Sequence, residues 1–383
     1  MKQVLQKYLK NNKQNIENIW RTLHSMPEKA FEEHRTSKYL GDKLEEMGFL
    51  TVRGIGGTGL TGTYDTGIKG PVVGIRADMD ALEHSFPDGN KMQHTCGHDA
   101  NCAMVLGAAE SMSVLNLVKR GKLKIIFQPA EETLDGAREM INSGELSDLD
   151  YLLGIHLRPE YELVYGQISP SVMHSAKSSV RVLFGGKESH ASRMDLGVNA
   201  AEVASMSVVR AGMIHFDPRF CHSAKATKIS SDNKAGNVVP SRAEIEFDLR
   251  SESNEHLENM EEKLMQTLEQ TAESFGATAN FDWSERTPAA RNYKEIQDLV
   301  RQAITELVGN EGVASPIKTT GAEDFHLYAE RIEGLQSVML GIGADVNPGL
   351  HMVNMEFNQE VLVLGAQALA LSAMDIFDIS RKE

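Results

Sequence analysis

The sequence predicts an α/β protein with a mostly parallel central sheet, interrupted by a smaller α+β domain of ferredoxin-like order. Three observations carry that prediction. Buried-strand runs alternate with helical patterns over residues 1–173. From residue 174 the strands become cleanly alternating, apolar on one side and polar on the other. After Pro288 the first grammar returns. The expected organisation is a split domain, 1–173 and 286–383, around an insert at 174–285.

Taken in order, Tyr39, Leu40, Leu44 and Met47 recur at helical spacing, and Gly48 stops the helix. Pro71 to Arg76 and Leu123 to Phe127 read as buried strands, with an almost uniformly apolar helix at 102–118 between them. A further strand runs from Tyr151 to Ile155. In the insert, Val180, Val182 and Phe184 alternate as on a strand, and a helix is expected at 199–214. Strands follow at 226–230 and 243–249; in the latter Ile245, Phe247 and Leu249 face opposite to Glu244, Glu246 and Asp248. Leu257, Met260, Leu264 and Leu268 then form a helical stripe closed by Gly276, and Phe281 and Trp283 mark a last strand. The order is β-α-β-β-α-β, that of a small ferredoxin-like domain. A helix near 294–308, a strand near 337–342 and an apolar helix from about 360 complete the split domain.

Composition narrows the function classes. With 39 Lys+Arg against 54 Asp+Glu the net charge is −15, against the basic stripe that a nucleic-acid binder needs. Cys96, Cys102 and Cys221 are too few for a disulfide framework, and no Cys-x-x-Cys supports a redox role. The first twenty residues lack an apolar signal segment, and the most apolar stretches carry Glu110 or Asp375. A soluble cytoplasmic protein without membrane or nucleic-acid partners is expected.

Chemistry concentrates in a few segments. Asp78, Asp80, His94, Cys96, His98 and Asp99 crowd one stretch, and a Cys and a His two apart at a helix start can face one point. Thiolate and imidazole suit zinc and related ions. A Cys-x-His alone also describes a buried thiol beside a polar loop, but such an acidic cluster repels itself without a cation. Glu131 and Glu132 follow a strand, where α/β folds place their sites. Adjacent carboxylates can divide two tasks, one as metal ligand and one as proton acceptor from the attacking water, although Glu-Glu also suits a solvated helix start. His156 ends an apolar strand, and His351 lies in a Pro/Gly-rich loop. Each histidine alone reads as structural; four strand-end segments offering Cys, His or Glu form a constellation.

With Leu23-His-Ser-Met-Pro-Glu28, Arg76-Ala-Asp-Met-Asp-Ala-Leu82, Cys96-Gly-His-Asp99, Phe127-Gln-Pro-Ala-Glu-Glu132, Gly236-Asn-Val-Val-Pro240, Gly321-Ala-Glu-Asp-Phe325 and Leu350-His351, the chain resembles the aminoacylase-type amidohydrolases. These belong to the di-metal peptidases that include glutamate carboxypeptidase, and the resemblance spans almost the full length. It implies a metallopeptidase-like catalytic domain with a ferredoxin-like lid that also dimerises. It implies a two-metal site of Cys96, His98, Glu132, His156 and His351, with Cys96 bridging, and Glu131 as general base. It further implies that His190 polarises the scissile carbonyl, that Asn237 and Arg250 bind a substrate carboxylate, and that the chain is a homodimer acting on an N-acyl amino acid or short peptide. Zinc or manganese is the implied metal, with cobalt or nickel admitted by the donors. Glu83 stands where the family has Pro, the 80–96 connector is short, and Ser192-Arg-Met-Asp195 replaces a segment in which relatives carry a second His. None of these departures removes an implied ligand or Glu131.

Overall fold

A computed structural model describes residues 1–232 and 235–379. The chain forms two compact units, one of Met1–Met173, Arg291–Ile317 and Glu323–Glu383, the other of His174–Ala290 and Lys318–Ala322. Hydrogen bonds explain why the second unit takes in 286–290 and 318–322. Ala290 donates its N–H to His174 O and Ser175 donates to Gly321 O, each at 3.0 Å. The Arg250 guanidinium reaches Thr320 O at 2.9 Å.

The first unit is built on a seven-stranded sheet, in the order Leu50–Ile55, Gly59–Asp65, Lys122–Gln128, Val72–Asp78, Tyr151–Pro159, Gln336–Val346, Ile168–Ser169. The middle four strands are parallel, whereas the two pairings on one flank and the one on the other are antiparallel. The expected mostly parallel sheet is therefore corrected to a mixed one. The reason is local: Leu50–Ile55 and Gly59–Asp65 are joined by a tight turn in which Gly56 and Gly57 take φ of 56° and 97°. So short a connection permits only antiparallel pairing. The parallel centre is buried on both faces, and every residue of Val72–Asp78 is buried. The helix His98–Val114 is buried nearly all round and lies in the same core as Val361–Ile379. Residues Val361–Asp378 are long and apolar enough to cross a membrane, but 89% of that stretch is buried inside the protein.

The second unit has an antiparallel sheet in the order His222–Ser231, Arg242–Ser251, Ala176–Gly185, Thr278–Trp283. Ala200–Ala211 and Asn254–Ser274 cover the face that presents Val180, Val182, Phe184, Ile245, Phe247 and Leu249. Its chain order is β-α-β-β-α-β with a core of its own.

Candidate metal centre

The parallel strands of the first unit deliver their C-terminal ends to one edge of the sheet, where ligand sites form in open α/β folds. Asp78 ends Val72–Asp78, with Asp80 two residues on. Gln128 ends Lys122–Gln128 and leads through Pro129-Ala130 into Glu131 and Glu132. Ala130 takes a left-handed φ of 53°. Its N–H is held by the buried Glu33 carboxylate at 2.9 Å, and Glu33 in turn accepts from the Thr58 hydroxyl. His156 lies within Tyr151–Pro159, and His351 in the loop after Gln336–Val346. Gly97 separates Cys96 from His98 at φ of 86°, and a Cβ there would lie 2.7 Å from Leu157 Cδ1. Only glycine accommodates both the turn and the close approach.

Six of the residues singled out in the sequence converge here. Donor atoms of Cys96, His98 and His156 lie within 4.8 Å of one another, and so do those of Cys96, Glu132 and His351. Cys96 Sγ is 3.5 Å from His156 Nε2 and 3.2 Å from His351 Nε2. Glu131 groups with Asp78 and His98 at the same limit. The imidazoles are oriented from behind. His98 Nδ1 faces the Asp80 carbonyl at 3.0 Å and the Asp80 carboxylate at 3.2 Å, so its Nε2 points inward. His156 Nδ1 donates to Leu157 O at 2.7 Å, which leaves the Nε2 lone pair facing Cys96. The same Asp80 carboxylate accepts the Glu132 N–H at 3.0 Å.

Electrostatics mark the centre as cation-seeking. Burial pushes the Cys96 thiol well up, and the Glu132 charge adds to this. Burial raises Glu132 to about 7 and drives Glu131 well above the usual range, with Glu323, Asp324 and Glu132 adding repulsion to Glu131. Burial lowers His156 to about 3. His98 goes the other way: burial opposes its protonation, but Asp78 and Cys96 outweigh it. Burial would raise Asp78, yet His98 and Arg76 hold it low.

Two divalent ions fit this donor set on an observation independent of charge. His98 Nε2 and Glu132 Oε1 are buried without a hydrogen-bond partner, although buried polar atoms are nearly always paired. Both belong to the converging donors. Cys96, with His98 and His156 on one side and Glu132 and His351 on the other, offers sulfur, nitrogen and oxygen donors of the kind that bind zinc-like ions.

Three further residues of the expected site lie in the second unit. His190 and Asn237 are exposed and neighbours: His190 pairs with Val238 on a two-residue ladder, and the Ala191 N–H donates to Asn237 O at 2.9 Å. His190 Nδ1 accepts from the Ser192 N–H at 3.1 Å. Arg250 is half-buried, its Nε donating to Asp248 Oδ1 at 2.8 Å.

Sequence reasoning gave no role to Arg76 or Glu33, and counted Asp80 only as one charge of an acidic cluster, not as the group that orients His98. Arg76 is buried with its guanidinium on Asp78, Glu323 and Asp324, at 2.9, 3.1 and 3.0 Å. Its Nε donates to Gln128 Oε1 at 2.9 Å. Asp324 nevertheless rises to about 8, through burial and the Glu323 charge. A signal did exist: a charged residue in an otherwise apolar buried strand needs a partner.

Comparison with known proteins agrees with this geometry. The sequence pattern of peptidase family M20/M25/M40 matches residues 74–375. An N-acetylcysteine deacetylase of Bacillus subtilis is 27% identical over 94% of this chain and 96% of its own. An IAA-amino acid hydrolase of Arabidopsis thaliana is 29% identical over 93% of this chain and 84% of its own. A crystal structure of a dinuclear metal binding peptidase of B. subtilis superposes with a TM-score of 0.82, at 25% identity, over 96% of this chain and 99% of that one.

Proposed function

The chain belongs to peptidase family M20/M25/M40, and from that premise we propose that it removes an N-acyl group from an amino acid bearing a free carboxylate. The observation that carries this reading is the pair of donor triads sharing Cys96, with Glu131 beside them. Cys96, His98 and His156 would hold one ion; Cys96, Glu132 and His351 the other. Divalent ions held there supply Lewis acidity, polarising a carbonyl and making water acidic enough to lose a proton near neutral pH. Zinc or manganese is the reading we favour, and the mixed sulfur, nitrogen and oxygen donors also admit cobalt or nickel.

The chain's own residues do the rest. Glu131 takes the proton of the attacking water as the C–O bond forms, and delivers it to the amine nitrogen as the C–N bond breaks. Burial and the neighbouring carboxylates raise its affinity for that proton. We assign His190 to polarising the scissile carbonyl, and Asn237 and Arg250 to the substrate carboxylate, for which a guanidinium fork is suited. The chain order and antiparallel sheet of the second unit support a ferredoxin-like lid. Its open edge strand His222–Ser231 supports a homodimer through that unit. Three free thiols suit a cytoplasmic setting.

The test is turnover of N-acetyl, N-benzoyl and dipeptide substrates by protein loaded with each metal. Hydrolysis of N-acyl amino acids with loss in Glu131→Ala is expected. No turnover of any of them, or full activity in Glu131→Ala, refutes the reading. Preferential cleavage of dipeptides would favour a dipeptidase or carboxypeptidase, which the likeness to a peptidase structure also supports.

A further inference from the structure

The donors of the centre are not equally enclosed. The His98 and Glu132 side chains are 0% and 11% exposed, whereas that of His351 is 54% exposed. His351 also has the least regular backbone of the set, with a left-handed φ of 62°, and Asn354 three residues on has 58°. Non-glycine residues adopt that conformation at a cost, and it persists where the surroundings fix it.

The loop closes on itself through two backbone hydrogen bonds between Asn347 and Glu356, at 3.0 and 2.8 Å. The hairpin between Asp80 and Cys96 grips the loop's two left-handed residues from outside. Leu82–Phe86 pairs antiparallel with Gly89–Gln93, and the chain then passes through His94 and Thr95 into Cys96. Both left-handed residues are gripped from this segment. The His351 N–H donates to Thr95 O at 2.7 Å, and the Asn354 N–H to Gln93 Oε1 at 3.3 Å. Thr95 is itself tied at its remaining polar groups. Its N–H donates to Gln93 O at 3.0 Å, and its hydroxyl pairs with His84 Nε2 at 2.8 Å. His84 is thus the only side chain that pins the Thr95 hydroxyl among the described residues.

We propose that this hairpin is a clamp on the metal-binding loop, and that His84 is a positioning residue which fixes Thr95 and, through it, His351. The inference rests on the two-metal reading and adds an asymmetry to it. The ion assigned to Cys96, Glu132 and His351 depends on the clamp through His351, whereas the ion assigned to Cys96, His98 and His156 meets it only through the shared Cys96 and depends on it less. Groups that orient a ligand from behind typically contribute 10–100-fold to metal affinity.

The experiment uses the full chain with His84→Ala, His84→Gln and Thr95→Val, the last removing the hydroxyl while leaving the hairpin sequence intact. Amide hydrogen exchange is measured on metal-free protein, and zinc affinity by competition with a chromophoric chelator. His84→Ala and Thr95→Val should speed exchange at the His351 amide about tenfold, with exchange in Tyr151–Pro159 unchanged. The weaker-bound zinc should lose about 10–100-fold in affinity and the tighter one little. At limiting zinc kcat should fall with KM held, and saturating zinc or His84→Gln should restore it. Unchanged exchange at His351, or equal weakening of both ions, overturns the proposal. Wild-type protein that takes up no zinc refutes the two-metal reading instead, and the metal-free exchange data still decide the clamp.

Discussion

Arg76 places one guanidinium among Asp78, Glu323 and Asp324 where water does not reach. A buried ion cluster of this kind is weak evidence for net stability, yet removing one partner is expensive because the others stay buried and uncompensated. Arg76→Met should destabilise the protein by about 3–5 kcal/mol. Adding Asp324→Asn should recover part of the loss, since contacting residues do not contribute additively. Urea denaturation of the two variants checks this, and an Arg76→Met variant within about 0.5 kcal/mol of wild type would contradict it. Strand periodicity alone marks Arg76 as part of a buried run and says nothing of its partners. Asp78 is two residues away, but Glu323 and Asp324 come from 247 and 248 positions away in the chain. The converging donors around Cys96 and Glu131 stood out for the opposite reason: Cys96 and His98 sit two apart, and Glu131 and Glu132 are adjacent.

The helix His34–Glu46 shows how an element can be stabilised from outside itself. Its N-cap residue, Glu33, makes no capping bond, because its carboxylate is turned to Ala130 and Thr58. Glu28 does the work instead, accepting the N–H groups of Arg35 and Thr36 at 3.1 and 2.9 Å, two of the unpaired donors of the first turn. Burial works against the Glu28 charge, but these N–H groups and the side chains of Arg35 and Thr36 hold its pKa below the ordinary value of 4.5. A depressed folded-state pKa contributes stability above the unfolded value, and that contribution is lost as pH falls through the folded one. Glu28→Gln should therefore cost about 1–2 kcal/mol at neutral pH and progressively less below pH ~4.5. Melting temperatures of both proteins between pH 7 and 3 would show the gap closing; a gap that widens in acid would refute it. Elements with strong periodicity were legible, such as Arg242–Ser251 with Ile245, Phe247 and Leu249 on one face. The helix Lys13–His24 carries Ile16, Ile19, Trp20 and Leu23 at equally good spacing, a pattern that the absence of a signal segment does not reveal. The hairpin at 82–93 gave little pattern because its residues are half-buried or exposed.

At the scale of the whole molecule, the chain divides into two compact units, and the mixed character of the first unit's sheet depended on turn geometry at Gly56 and Gly57 that strand patterning does not carry. The two units have separate cores, and every residue assigned as a metal donor belongs to the first. Without a cation, Glu131, Glu132, Glu323 and Asp324 are all pushed towards neutrality in one buried region. An ion that binds only the folded state stabilises it by about 2.7 kcal/mol at a hundredfold excess over Kd. Because binding couples to the unit that holds the donors, that gain should be uneven along the chain. Removing metal with a chelator should increase exchange in Val72–Asp78 and His98–Val114 by up to about 100-fold. Exchange in Arg242–Ser251 and Asn254–Ser274, which belong to the second unit, should change little. Readdition of zinc or manganese should reverse the effect. Equal loss of protection in both units would show that metal binding is linked to global unfolding, and the separate cores would then not act as separate thermodynamic units.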